Sequence, residues 1–165
     1  MSLKQKIIDL FKRIEKGQTG GGSKAIEKQV AMGKLPARER ITKLLDRNSF
    51  HEYDLFVEHK CADFGMDKKL LPADGVVTGT GSISNHPVCI FAQDFTVAGG
   101  SLGLMHARKI TKIMDHSVKM GIPLIGINDS VILPYKFFSL KFVDGAELVI
   151  HINDRTFLIR DGHDG

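Results

Sequence analysis

Apolar residues recur at Leu3, Ile7, Leu10, Phe11 and Ile14, three or four positions apart, with charged residues between them. That spacing predicts an amphipathic helix over residues 2–16, with Ser2 as its N-cap. The run Gly17-Gln18-Thr19-Gly20-Gly21-Gly22 breaks it and reads as a flexible connection; with no strand before it, it makes a poor phosphate loop. Ser23 is positioned to cap a second helix reaching about Met32 and closed by Gly33. Pro36 suits the first turn of a third helix through Leu45, which ends near Asp46-Arg47-Asn48-Ser49.

From Phe50 the period shortens towards two. Phe50-His51-Glu52-Tyr53-Asp54-Leu55 alternates imperfectly and predicts a strand. Residues 75–83 and 88–92 predict paired strands around the turn-rich Ser84-Asn85-His86-Pro87. Residues 104–120 return to helical spacing, with Ala107, Ile110, Met114 and Val118 on one face and Gly121 as the C-cap. A short buried-type strand over 123–127 follows. Strand, helix and strand over 88–127 make a parallel crossover unit. Residues 97–103 then fall between the carboxyl end of a strand and the start of a helix, where open α/β sheets bind ligands. Further on, residues 147–153 and 156–160 predict a hairpin around Asp154-Arg155. The fold class is α/β.

Composition narrows the function classes. At 165 residues, with 42% hydrophobic and 25% charged residues, the chain is one domain or a piece of a larger one. No apolar run approaches the length of a membrane span, and the charged N-terminus lacks a secretory core. Cys61 and Cys89 cannot form a disulfide scaffold, so a reducing compartment is expected: the cytoplasm, or the mitochondrial matrix for a eukaryotic chain. The net charge of +4 is uneven, with 12 Lys and Arg against 5 Asp and Glu in residues 1–50. A basic arm attracts anions, yet no aromatic residues interleave with its charges in the manner of a nucleic-acid groove. Nucleic acid is not expected as a partner.

The stretch with most chemical content is Gln93-Asp94-Phe95-Thr96-Val97-Ala98-Gly99-Gly100-Ser101-Leu102-Gly103. Glycines let the backbone approach a ligand, and free amides at a helix start can hold an anion or a polarised carbonyl oxygen. A purely structural turn between strand and helix uses glycines in the same way. Gly99 to Gly103 also fits the G-x-S-x-G pattern of a serine hydrolase with Ser101 as nucleophile. That elbow needs a strand ending just before it, whereas the strand here ends near Ala92. Its acid and base would have to be Asp129 with His151 or His163, since His106 and His116 lie on different helix faces. For a metal, His59, Cys61 and Asp63 share one face of an extended segment, and His151, Asp154, His163 and Asp164 form a second loose group. Neither has a recognised ligand spacing, and no metal is expected. Cys89, inside an apolar run, reads as a packing residue.

Several runs together resemble a known family. Gly33-Lys34-Leu35-Pro36-Ala37-Arg38-Glu39-Arg40-Ile41 is similar to the Gly-Lys-Leu-Thr-Ala-Arg-Glu-Arg-Ile signature of biotin-dependent acyl-CoA carboxylase β subunits. Asp54-Leu55-Phe56-Val57-Glu58-His59, Asp63-Phe64-Gly65-Met66-Asp67, Asp74-Gly75-Val76-Val77-Thr78-Gly79 and the stretch from Gln93 to Gly103 extend the resemblance in order. His106-Ala107-Arg108-Lys109-Ile110 and residues 123–130 continue it, so that it covers about residues 20–130. The propionyl-CoA type, with the methylmalonyl-CoA carboxyltransferases and decarboxylases, is most similar.

The resemblance implies a partial crotonase-like (ClpP/crotonase) N-terminal carboxyltransferase domain over residues 50–130, preceded by a basic helical arm over 1–49. It implies transfer of a carboxyl group from carboxybiotin to the α-carbon of an acyl-CoA, with propionyl-CoA as the expected substrate. Biotin would arrive on a partner carrier domain, with a biotin carboxylase subunit as a further partner and a homo-oligomer as the full-length state. Both enolates in such chemistry are stabilised by backbone amides, so no catalytic side chain is expected. Gly99, Gly100 and Ser101 would lie on the acyl-CoA side, and the arm could supply phosphate contacts.

The match departs after Asn128-Asp129-Ser130. Where the family continues with a Gly-Gly-Ala-Arg stretch, this chain has Val131-Ile132-Leu133-Pro134-Tyr135. Residues 131–165 therefore read as a divergent tail, and the chain as a truncated N-terminal part that is inactive alone. A noncatalytic assembly module of the carboxylase complex is the alternative from another class.

Overall fold

The computed structural model describes residues 1–130 and the backbones of two further strands, 148–152 and 155–159. Helix α1 (Leu3–Gln18) starts at Ser2, whose hydroxyl accepts the Gln5 amide at 3.3 Å. It runs two residues past the expected break because Arg38 covers its end. The Arg38 guanidinium donates to the Gly17 and Gln18 carbonyls, both at 3.0 Å, which would otherwise lack acceptor partners. Helix α2 (Ser23–Ala31) has Gly22 as its N-cap, and Ser23 makes no capping bond. Helix α3 (Ala37–Leu44) follows Pro36.

The glycines between α1 and α2 form a close docking contact rather than the expected flexible connection. A Cβ on Gly21 would lie 1.9 Å from the Thr96 carbonyl oxygen, and one on Gly20 2.4 Å from the Asp94 carboxylate. The Gly21 amide donates to the Thr96 hydroxyl at 3.0 Å. Only a chain without side chains at these positions lets the arm reach the glycine-rich stretch.

Among the described residues six strands form one sheet in the order β1 (His51–Tyr53), β2 (Val76–Ile83), β3 (His86–Gln93), β4 (Leu124–Asn128), β5 (Leu148–Ile152) and β6 (Arg155–Ile159). The β3–β4 and β4–β5 pairs are parallel and the others antiparallel. Between β2 and β3 the turn is Ser84-Asn85, both with positive φ, so His86 and Pro87 belong to the strand. The Asp46 carboxylate accepts both turn amides and the Ser82 hydroxyl, which holds its carboxyl below the usual carboxylate range. Arg155 lies in β6 rather than in the hairpin turn expected there.

Helix α4 (Leu104–Met120) crosses from β3 to β4 and closes on Gly121 in the left-handed conformation. The alternation in β3 divides the core between two faces. Val88, Ile90 and Ala92 pack with Val77, Ile125 and Ile127 under Ala37, Ile41 and Leu45. Cys89 points the other way, with Leu124 and Ile113, beneath α4. Burial pushes the Cys89 thiol up to about 11, as befits a packing residue.

The inner face of α4 differs from the expected one. His106, Lys109, Ile110, Ile113 and Ser117 are buried, whereas Val118 is 62% exposed. Apolar spacing misplaced the face because two of its inward residues are cationic or ionisable and satisfy buried main-chain groups.

Candidate functional site

The link from β3 to α4 rests on an unusual support at residues 72–76. Ala73, Asp74 and Gly75 all have positive φ, of 52°, 47° and 68°. Two of these are not glycine, so the turn persists only because other contacts hold it. The Lys109 ammonium donates to the Ala73 carbonyl at 2.9 Å and to that of Val76. Burial pushes Lys109 down to about 8, opposed by the nearby carboxylates of Glu52, Asp54 and Asp74. Asp74 then reaches across the chain, its carboxylate accepting the His106 amide at 2.7 Å. This carboxylate caps α4 from a distant element, a contact of about 1 kcal/mol. The α4 amides of Leu104 and Met105, in the first turn after Gly103, have no acceptor within the helix.

Within the link, Gly99 and Gly100 both have φ of 65°. The Gly100 amide donates to the Val97 carbonyl at 2.9 Å, and that of Ser101 to Ala98 at 3.3 Å. Gly100 also sits against the end of β4, where an added Cβ would lie 2.1 Å from the Asp129 carbonyl oxygen. Ser101 is exposed, and its hydroxyl donates to the Ala98 carbonyl at 2.7 Å. The structure thus brings Gly99, Gly100 and Ser101 onto one tight turn at the carboxyl ends of β3 and β4.

The serine-hydrolase geometry does not form among the described residues. β3 ends at Gln93, six positions before Gly99, so there is no strand-to-helix elbow at Ser101. Asp129 is 6% exposed and is held by Arg40 at 2.9 Å, Lys34 at 3.4 Å and Gln29 at 3.4 Å. His106 is fully buried and bonded to other groups; His163 lies outside the described residues, as do Asp154, Asp164 and residues 131–135, and only the backbone of His151 is described. His59 is likewise committed to main chain: its Nδ1 accepts the Cys61 amide at 3.3 Å and its Nε2 meets the Lys69 carbonyl at 2.6 Å. Among the described residues no three His, Cys, Asp or Glu side chains converge as metal ligands.

The signature arginines prove to be ties between arm and sheet. Arg38 bonds Glu52 at 2.6 Å as well as the end of α1. Arg40 bonds the Leu35 carbonyl at 2.9 Å and Asp129. Lys34 remains partly exposed, with its ammonium 5.3 Å from the centre of the Phe95 ring. The charge excess of the arm pointed to anionic ligands, whereas Arg38 and Arg40 neutralise Glu52 and Asp129 within the chain.

Residues 28–131 match the model of the carboxyl transferase domain family. The chain is 55% identical over 129 residues to methylmalonyl-CoA decarboxylase subunit alpha of Veillonella parvula, covering 78% of this chain and 25% of that protein. It is 58% identical over 113 residues to the mitochondrial propionyl-CoA carboxylase beta chain of Homo sapiens, covering 67% and 21%. Among solved structures, it is similar to the transcarboxylase 12S hexamer with methylmalonyl-CoA and methylmalonic acid bound. That similarity has a TM-score of 0.77 and 40% identity, over 79% of this chain and 26% of that one. The chain spans about a quarter of the length of the curated relatives it matches. No described helix is long and apolar enough to cross a membrane.

Proposed function

Since the chain belongs to the carboxyl transferase domain family, we propose that it forms the acyl-CoA side of a biotin-dependent carboxyltransferase. The complete subunit moves a carboxyl group from carboxybiotin to the α-carbon of propionyl-CoA. Carboxybiotin, delivered by a partner carrier, is a co-substrate and not a resident group of this chain. In this reading residues 1–49 are the arm, 50–130 the opening of a crotonase-like domain and 131–165 a divergent tail.

The observation that carries the proposal is the backbone turn at Gly99 and Gly100 beside the uncapped Leu104 and Met105 amides. A thioester enolate needs amide donors fixed before charge develops; with the Gly100 and Ser101 amides committed within the turn, the Leu104 and Met105 amides at the start of α4 are the donors left for it, with no ionisable side chain required. The substrate class is supported by the methylmalonyl-CoA bound to transcarboxylase 12S. Calorimetric titration of the chain with propionyl-CoA tests it. The expected result is saturable binding, with amide shifts at residues 99–105 in NMR spectra, and no binding of free propionate. Absence of both heat and shifts refutes the reading.

The exposure of Leu3, Leu10 and Phe11 on α1 favours a second reading, with the arm as an assembly element for a full-length carboxyltransferase subunit. Co-purification of the two chains, lost in Phe11→Asp, is the expected outcome. Equal recovery of the variant removes this reading.

A further inference from the structure

A buried chain of hydrogen bonds runs from the residue-74 turn to the Asp129 amide, whose residue packs its carbonyl against Gly100, and the ends of the chain determine its polarity. The Asp129 amide donates to Gln93 Oε1 at 3.0 Å. An amide nitrogen can only donate here, so Gln93 Oε1 is the acceptor and Gln93 Nε2 carries the donor hydrogens. Gln93 Nε2 lies 3.3 Å from His106 Nε2, which must therefore accept. His106 Nδ1 lies 2.8 Å from the Asp74 carbonyl oxygen, an acceptor, and so bears the proton. Two backbone groups thus select the neutral Nδ1–H form of His106. A second proton on Nε2 would face the Gln93 amide hydrogens, and turning that amide would orphan the Asp129 amide.

We propose that neutral His106 is a positioning residue, which through Gln93 holds Asp129 where its carbonyl seats Gly100, and that protonation of His106 releases the glycine turn. The link to acyl-CoA rests on the function proposed above; the bond chain itself does not. The ionisable groups around His106 are Asp74 before α4, Lys109 one turn along it, and Asp129 at the end of β4, the last neutralised by Arg40 and Lys34. Burial is the largest influence on His106 and lowers its pKa below 6.5, against the pull of Asp74. With the folded value below the unfolded one, the unfolded chain binds the proton first. Stability is therefore unaffected above about 6.5 and falls as pH drops below it.

Long-range proton–nitrogen NMR of the 15N-labelled chain reads the tautomer directly. The expected spectrum shows His106 as Nδ1–H, titrating below 6.5, with the Gly100 and Asp129 amides moving at the same midpoint. Gln93→Glu keeps an acceptor for Asp129 and offers a second oxygen to Nε2–H. It should raise the His106 midpoint above 6.5 while leaving the Gly100 amide in place. Gln93→Leu, which removes both partners, should displace the Gly100 amide at every pH. An Nε2–H tautomer, an unshifted midpoint in Gln93→Glu, or a Gly100 amide indifferent to His106 overturns the proposal. If these hold and propionyl-CoA fails to bind, the functional reading fails and the positioning role of His106 stands.

Discussion

Gly100→Ala is expected to destabilise the chain by about 3–5 kcal/mol and to weaken propionyl-CoA binding at least tenfold. Two costs combine. The backbone has φ of 65°, which an alanine adopts only with strain. The new methyl also overlaps the Asp129 carbonyl oxygen, and Ser130 Cα lies 3.3 Å away. These neighbours are backbone, so neither can turn aside as a flexible side chain would. The Asp129 amide is held by Gln93 and its carboxylate by Arg40, which leaves the loop to move instead. Gly33→Ala separates the two costs, because Gly33 has φ of 76° but open space around its Cβ position. Urea denaturation should show a loss of about 1–2 kcal/mol for that control. Equal losses in the two variants would mean that Gly100 is not seated on β4.

Arg40→Met is expected to cost about 3 kcal/mol, the usual range for stripping one partner from a buried ion pair. Arg40 and Asp129 have side chains 16% and 6% exposed, so water cannot replace the lost guanidinium. Lys34 stands farther away at 3.4 Å with a side chain 42% exposed, and compensates little. Asp129→Asn removes the charge instead and should recover a large part of the loss in the double variant. A double-mutant cycle in urea measures this coupling. Additive losses, or an Arg40→Met loss below about 1 kcal/mol, would show that the pair is only a surface contact. The glycine-turn amides should shift in Arg40→Met as well, because the same aspartate carries the carbonyl beneath Gly100.

The parts of the fold legible in the sequence were those decided within one element or between neighbours. The bounds of α4, its closure on Gly121, the pairing of β2 with β3 and the parallel crossover all follow from local periodicity and turn residues. The runs around Arg38 and Gln93 likewise sufficed to identify the carboxyl transferase family. The candidate site was legible only as a glycine-rich stretch. Nothing in residues 97–103 announces Asp74 as the cap of α4 or Asp129 as the seat of Gly100. Those partners lie about 30 positions away in sequence.

The same reason explains two of the misreadings. Gly20 and Gly21 looked like slack because their partner surface, Asp94 and Thr96, is remote in sequence. Apolar spacing set the face of α4 at Ala107, Ile110, Met114 and Val118, without His106 and Lys109, because polarity is a guide to exposure only where no buried acceptor waits. Periodicity and turn chemistry thus determined the elements and, with the motif runs, the family. The tertiary structure alone decided which carbonyls and amides meet His106, Lys109 and Arg40. A buried polar group is stable only beside its partner, and that pairing exists once distant segments share one core.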